Sequence, residues 1–376
     1  MKIVADQNIV GLKELIEPIA QLTMVEGRQL TNAQLKNADA LLVRSVTEVN
    51  RELLANTPVS FVGSATAGQD HIDHGYLKAA GIAFSAAPGS NANSVVEYVI
   101  SALANIRGCL EGLCKSGSVG IVGFGQVGSL LAKKLKAMGI SVIAYDPLLA
   151  PQMSEMLGSL EEVLNCSVVS LHTPLTRQGH YPSFHQFDRH VLEKLRADAV
   201  LINAGRGATL DNQALLELLQ GGSEIKVVLD VWEAEPDINA ALAQRCALVT
   251  PHIAGYSYDG KLAATSIVCR QLCKHFKIDA GSAVEAEKQD ELEIQLPDDM
   301  AATIRAVINS VYDIRVDDRA MRKLLSVGDR QKRAREFDQL RKHYPQRREI
   351  SCYKWHAGSK VTTSQMALLK ALGCIT

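Results

Sequence analysis

The chain has 376 residues, 47 % of them hydrophobic and 22 % charged, with 40 basic residues set against 41 acidic ones. That length calls for more than one core, the composition excludes a disordered chain, and a formal net charge of -1 leaves no global field to draw in nucleic acid or an anionic membrane. The opening MKIVADQNIV has no apolar run of signal-peptide length, and no stretch nears the roughly 20 apolar residues of a membrane span, so a cytoplasmic protein is expected. The eight cysteines (109, 114, 166, 246, 269, 273, 352 and 374) form no C-x-x-C. They read as reduced core thiols rather than disulfides or metal ligands.

From the start, short apolar runs alternate with amphipathic ones. KIVAD (2–6), ADALLVRS (38–45) and SFVGSAT (60–66) are apolar runs with small or polar ends, as buried parallel strands require. GLKELIEPIA between them has helical spacing. Residues 88–108 predict a long helix leading out of this first region, with Asn91, Asn93 or Ser94 as cap and Gly108 as stop. Six more strands are expected at 119–123, 141–146, 167–172, 199–204, 226–231 and 247–252, with helical patterns in most gaps. This is the alternation of a doubly wound parallel sheet. After Gly260, KLAATSIVCRQLCKHF predicts a helix returning to the first region; residues 278–298 read as an acidic linker, and 299–376 as a smaller α+β unit.

The residues 123–128, Gly-Phe-Gly-Gln-Val-Gly, fit G-x-G-x-x-G directly after a strand and opening an amphipathic helix, and Asp146 ends the next strand eighteen residues beyond Gly128. In that context the motif is a dinucleotide fingerprint. Gly123 makes the tight turn, Gly125 lets the backbone approach a pyrophosphate, and Gly128 lets helix and strand pack closely. The helix start offers N–H groups to phosphate. Asp146 can accept from both adenosine ribose hydroxyls and would repel a 2′-phosphate, so NAD is expected over NADP.

Three polar motifs close later strands: Asn203-Ala204-Gly205-Arg206-Gly207, Asp230-Val231-Trp232-Glu233-Ala234-Glu235-Pro236 and Pro251-His252-Ile253-Ala254-Gly255-Tyr256. Hydride removal from a hydroxyl carbon needs a base for the departing proton, and His252 is the candidate. Glu235 is the carboxylate to orient it, and Arg206 the rigid fork for a substrate carboxylate. Asp230 could hold the nicotinamide side. A lone arginine or histidine after a strand is usually structural; the set behind a dinucleotide fingerprint is not. His71 and His74 in DHIDH resemble a metal spacing without further ligands and are expected to cap or line a loop. His180, His185 and His190 are expected to face solvent or a partner.

VGIVGFGQVG, HTPLT, NAGRG, LDVWEAEP and PHIAG occur here in order, and on them residues 1 to about 285 resemble the D-isomer-specific 2-hydroxyacid dehydrogenases. The resemblance implies two Rossmann-like domains, a substrate-binding domain (1–95 with 256–285) and an NAD-binding domain (96–255), followed by a C-terminal dimerisation domain (286–376), hence a homodimer. It makes Arg206, Glu235 and His252 catalytic. It puts Gln126, Val127, Asp146, Thr173, Ala204, Asp230 and Gly255 against NAD, and Ser45, Thr66 and Tyr256 against substrate, with no metal. VRSVTEVN, FVGSATAGQDHIDHGYL, HIAGYSYDGK and VYDIRVDD narrow it to a branch whose substrate is a four-carbon phosphorylated 2-hydroxy acid. The rivals are a relative acting on the acid one carbon shorter, and an NAD-sensing binding protein. The basic tract 322–349 reads as a solvated helix face; a sharper reading sends one of its arginines, such as Arg347, to a neighbouring subunit's phosphate site.

Overall fold

The structure, a computed structural model, describes residues 1–279, 290–358 and 361–374. It divides into two compact units, Met1–Asn91 with Ser257–Lys288 and Ala92–Tyr256 with Gln289–Thr376. No helix among the described residues is long and apolar enough to cross a membrane.

The first unit is built on five parallel strands, β1 (Lys2–Asp6), β2 (Gln21–Val25), β3 (Ala40–Val43), β4 (Phe61–Ser64) and β5 (Ala83–Ser85), in the order β2-β1-β3-β4-β5. β3 and β4 are buried at every position, as their unbroken apolar runs require of strands covered on both faces. One face packs Leu12, Ile16, Val268 and Leu272; the other packs Leu35, Leu53, Leu54 and Leu77. The helix Tyr258–Phe276 returns to this unit as expected and lies on β4, where a Cβ on Gly63 would stand 2.3 Å from Val268.

The second unit carries β6 (Ser118–Val122), β7 (Ser141–Tyr145), β8 (Val168–Leu171), β9 (Val200–Asn203), β10 (Lys226–Leu229) and β11 (Leu248–Val249), all parallel, in the order β7-β6-β8-β9-β10-β11. Beyond β7 a parallel bridge joins Ala144 to Leu157 and adds a single rung outside the six strands. The order reverses between β6 and β8, and ligands of such sheets bind outside the carboxyl ends of the strands at that reversal.

The helix expected over 88–108 spans Ala92–Asn105. Gly108, at φ 76, does not stop it but caps the next helix, Cys109–Lys115. Ser94 is no cap: buried inside the helix, its Oγ donates to the Ala254 carbonyl at 2.9 Å. Part of the expected acidic linker lies outside the described residues. Its end is a strand, β12 (Asp290–Ile294), paired in parallel with β13 (Tyr353–Ala357). Helices Met300–Val311, Ile314–Leu325, Arg330–Lys342 and Thr363–Leu372 complete the α+β segment. Ile304, Val307, Ile308, Leu368 and Leu372 pack in one cluster with Val99, Leu103, Ile121 and Leu131, so this segment shares a core with the six-stranded sheet. All eight cysteines are free thiols.

Candidate active site

The glycine loop follows the roles its spacing implies. Gly123 turns at φ 91, and a Cβ there would press on the backbone of His172 and Thr173 at about 3.0 Å. A Cβ on Gly128 would stand 1.9 Å from the Gly123 carbonyl oxygen. A Cβ on Gly125 would meet nothing within 4 Å, so no neighbouring atom of the chain requires glycine there. The helix Gln126–Ala137 starts with no side-chain cap, Gln126 is exposed and Val127 half-buried at that start, and its first N–H groups suit a pyrophosphate. Asp146 accepts from the Phe124 N–H at 2.9 Å and the Leu148 N–H at 3.1 Å, which ties it to the loop. These residues fit a dinucleotide. His172 opens the HTPLT motif beside Thr173, with no role assigned to it from the sequence: Ser170 meets its Nε2 at 2.9 Å, Nδ1 is buried without a partner, and burial pushes its pKa down to about 4.

The second half of the site grows from the ends of β9, β10 and β11. Asn203 braces the turn after β9: its Nδ2 donates to the Arg206 carbonyl at 3.0 Å and its Oδ1 accepts from the Gly205 N–H at 3.1 Å. Thr209 Oγ1 donates to the same Arg206 carbonyl at 2.7 Å. Half-buried Ala204 lies in this turn. A Cβ on Gly207 would stand 2.0 Å from the Trp232 carbonyl oxygen and 2.7 Å from the Glu233 nitrogen, so the Arg206 turn lies hard against the Glu235 loop. Asp230, expected as a cofactor contact, is 1 % exposed. Its Oδ1 accepts from Thr250 Oγ1 at 2.6 Å and Ile253 N–H at 2.8 Å, and its Oδ2 from Ala254 N–H at 2.9 Å. What the structure shows it doing is anchoring the loop that carries His252, Gly255 and Tyr256.

That anchoring holds His252 at φ 58, a left-handed conformation that only an over-determined setting maintains in a non-glycine residue; its N–H donates to the Asp230 carbonyl at 2.7 Å. His252 Nδ1 meets Glu235 Oε2 at 2.7 Å, while Glu235 Oε1 accepts from the Trp232 N–H at 2.9 Å. Burial of Glu235 opposes ionisation. The His252 charge and hydrogen bond, the Trp232 N–H and the Arg341 charge outweigh it and hold the carboxyl below its usual range. An ionised carboxylate only accepts, so Nδ1 carries the proton and Nε2 is the nitrogen left to take one.

Ser45 and Thr66 lie in the first unit, after β3 and β4. Ser45 is exposed; Thr66 Oγ1 shares a 2.7 Å hydrogen bond with Ser64 Oγ and donates to the Gly68 carbonyl at 2.9 Å. Arg44 is tied to Asp6 at 3.1 Å. Nearby Lys261, the last residue of HIAGYSYDGK, is pushed down to about 8 by burial and by the Arg44 charge. His71 meets Ser64 Oγ at 3.0 Å and His74 opens a helix capped by Asp73, the loop and capping roles expected. His185 is half-buried and meets Glu233 Oε1 at 2.6 Å and Asp211 at 3.6 Å. These three could in principle ligate a metal. Asp211 already caps the Ala214 N–H and Glu233 accepts from the Asn212 N–H, which makes the cluster a clasp between loops. Arg347 departs from expectation. It is 6 % exposed, donates to the Ser94 carbonyl at 2.7 Å and stacks 3.7 Å over the Tyr312 ring, so it is spent within its own chain.

Residues 110–254 match the family model described as the NAD binding domain of D-isomer specific 2-hydroxyacid dehydrogenases, and residues 284–373 match a domain family of unknown function. Among curated proteins, the chain is 46 % identical over 361 residues to erythronate-4-phosphate dehydrogenase of Cellvibrio japonicus, covering 94 % of each. It is 41 % identical to that of Pseudomonas fluorescens over 99 % of each, and 42 % identical to that of an Escherichia coli strain over 93 % of each. Among solved structures it shares a fold with the D-lactate dehydrogenase of Aquifex aeolicus, complexed with NAD and lactic acid (TM-score 0.61, 23 % identity, 74 % of this chain and 96 % of that one). It does so too with the NAD-bound 3-phosphoglycerate dehydrogenase of Entamoeba histolytica (TM-score 0.64, 24 % identity, 76 % and 99 %). With relatives this similar over nearly its whole length, the chain belongs to the erythronate-4-phosphate dehydrogenase family, within the D-isomer specific 2-hydroxyacid dehydrogenases.

Proposed function

We propose that this protein oxidises 4-phospho-D-erythronate at its 2-hydroxyl to (R)-3-hydroxy-2-oxo-4-phosphooxybutanoate, a step of pyridoxine 5′-phosphate (vitamin B6) synthesis. The observation that carries the chemistry is the Glu235–His252 hydrogen bond, 2.7 Å long, in a loop fixed by Asp230 and beside the Arg206 turn. NAD, when bound, accepts the hydride leaving C2. Arg206 receives the substrate carboxylate through its planar fork. His252 Nε2 takes the hydroxyl proton, and Glu235 stabilises the resulting imidazolium while keeping the ring turned. Residues 123–128 with Asp146 and Thr173 hold the cofactor; Ala204 and Gly255 border it, and Asp230 serves it through the loop it anchors. Ser45, Thr66 and Tyr256 contact substrate on the strength of the family resemblance. The same resemblance gives the C-terminal segment a role in dimerisation, and the eight free cysteines favour a cytoplasmic enzyme.

The test follows NADH formation by wild type and His252→Ala with 4-phospho-D-erythronate and with 3-phosphoglycerate. Turnover of the four-carbon acid, reduced at least about 10²-fold in the variant, is expected. Preference for 3-phosphoglycerate would keep the mechanism and overturn the substrate. No turnover of either acid by a protein that binds NADH would favour a sensing role.

A further inference from the structure

The substrate proposed above carries two anionic groups, and Arg206 can clamp only one of them. Its phosphoester oxygen is three bonds from the reacting carbon, so the cation that meets the phosphate must come close to the His252 loop. In the second unit such a cation arrives from the C-terminal segment. Arg341, at the last turn of the helix Arg330–Lys342, has its guanidinium carbon 6.0 Å from the centre of the Tyr256 ring and shares a hydrogen bond with that side chain. Its charge also bears on Glu235. The Nε–H is buried without a partner, and a buried guanidinium left partly unsatisfied suits a site completed by an anion. The residue is half-buried overall, so a ligand can reach its outer nitrogens.

The segment is not loosely placed. Tyr344 packs edge-on against Tyr256 with ring centres 5.7 Å apart and donates to Asp317 at 2.9 Å. Arg347 donates to the Ala254 carbonyl at 3.4 Å and the Ser94 carbonyl at 2.7 Å. Residues 341–347 therefore wrap the same loop that presents His252, and Arg341 is the guanidinium they bring to its Tyr256 end.

We infer that Arg341 binds the phosphate of the substrate, making the C-terminal segment part of the active site of its own chain. The inference rests on the proposed function. Arg341→Gln and the milder Arg341→Lys are compared with wild type for the Michaelis constant of the phosphorylated substrate and for the competitive inhibition constants of inorganic phosphate and D-erythronate. Thermal melting and NADH affinity serve as checks on the fold. Arg341→Gln is expected to raise the Michaelis constant and the phosphate inhibition constant at least about 10-fold and the D-erythronate constant less than threefold, with Arg341→Lys in between. Equal losses on phosphate and D-erythronate in a folded variant would make Arg341 a positioning residue for Tyr256 and overturn the inference. So would a phosphate constant that rises in Lys261→Gln but not in Arg341→Gln. Absence of turnover by wild type would defeat the functional reading and this inference with it, whereas unselective losses in active variants defeat the inference alone.

Discussion

At the scale of single residues, His252 is held by its hydrogen bond to Glu235 and by a buried polar frame behind its loop. Asp230 anchors the loop directly, and Glu97, 0 % exposed, reaches it through Arg347. Glu97 Oε1 accepts from Asn93 and from the Ile350 N–H, its Oε2 lies 3.8 Å from the Arg347 guanidinium, and Arg347 in turn meets the Ala254 carbonyl. Burial pushes the Glu97 carboxyl up from 4.5 to about 7 against the lowering effect of Arg347. A carboxyl with a raised folded pKa binds its proton more tightly in the folded state, so its contribution is complete below the unfolded value and is lost as pH rises through the folded one. The window here runs from about 4.5 to about 7, and the shift corresponds to at most about 3 kcal/mol. Glu97→Gln removes that titration. Urea unfolding of both proteins between about pH 5 and pH 8 is therefore expected to show the variant gaining stability relative to wild type as pH rises. A difference independent of pH would show that Glu97 keeps its proton equilibrium unchanged on folding.

At the scale of elements, the glycine loop separates what the fold needs from what the ligand needs. Gly128 sits where any side chain would run into the Gly123 carbonyl, so Gly128→Ala should cost more than about 2 kcal/mol by forcing helix and strand apart. Gly125 has open space around it, so Gly125→Ala should melt within a degree or two of wild type while weakening NADH binding at least about 10-fold. Fluorescence titration of NADH with parallel melting curves separates the two, and normal NADH affinity in Gly125→Ala would place the pyrophosphate elsewhere. This contrast is legible in the sequence because the motif has fixed spacing between two unmistakable strands. The interior strands are equally legible: β3, β4, β8 and β9 are buried at every position and are apolar apart from Ser64, Ser170 and Asn203. Strands with wet faces are not. β2 is exposed or half-buried along its length, and β12, DELEI, is mostly charged; both depend on a partner strand rather than on a pattern of their own. Arg347 and Glu349 are hidden for a related reason. They sit in a basic, polar tract that reads as solvated, and only tertiary packing buries them. Arg341 lies in the same tract and nothing in the sequence singles it out from its neighbours, since its helix buries only Phe337.

At the scale of the whole molecule, the question is which parts unfold together. The sequence suggests three domains, and residues 284–373 match a domain family of their own; in the structure the described residues form two compact units, with the C-terminal segment packed into the second. The physical reason is that Ile304, Val307, Ile308 and Leu369 bury their side chains in the cluster that also holds Val99, Leu103 and Leu131. The C-terminal helices thus share an apolar core with the six-stranded sheet. Calorimetry should show two transitions, one for each unit with its own two-faced sheet core. A ligand that binds only the folded form stabilises what it binds by about 2.7 kcal/mol at 100 times its dissociation constant. For a unit of this size that is roughly 5–10 °C, so NADH should raise one transition by that amount and leave the other in place. Tyr344 and Trp355 belong to the C-terminal segment, and Trp355 is 5 % exposed. With Trp232→Phe removing the other tryptophan, Trp355 fluorescence should follow the NADH-dependent transition. A separate fluorescence transition indifferent to NADH would mean that the C-terminal segment folds as a third domain, and that its contact with the His252 loop is a docking equilibrium rather than part of one core.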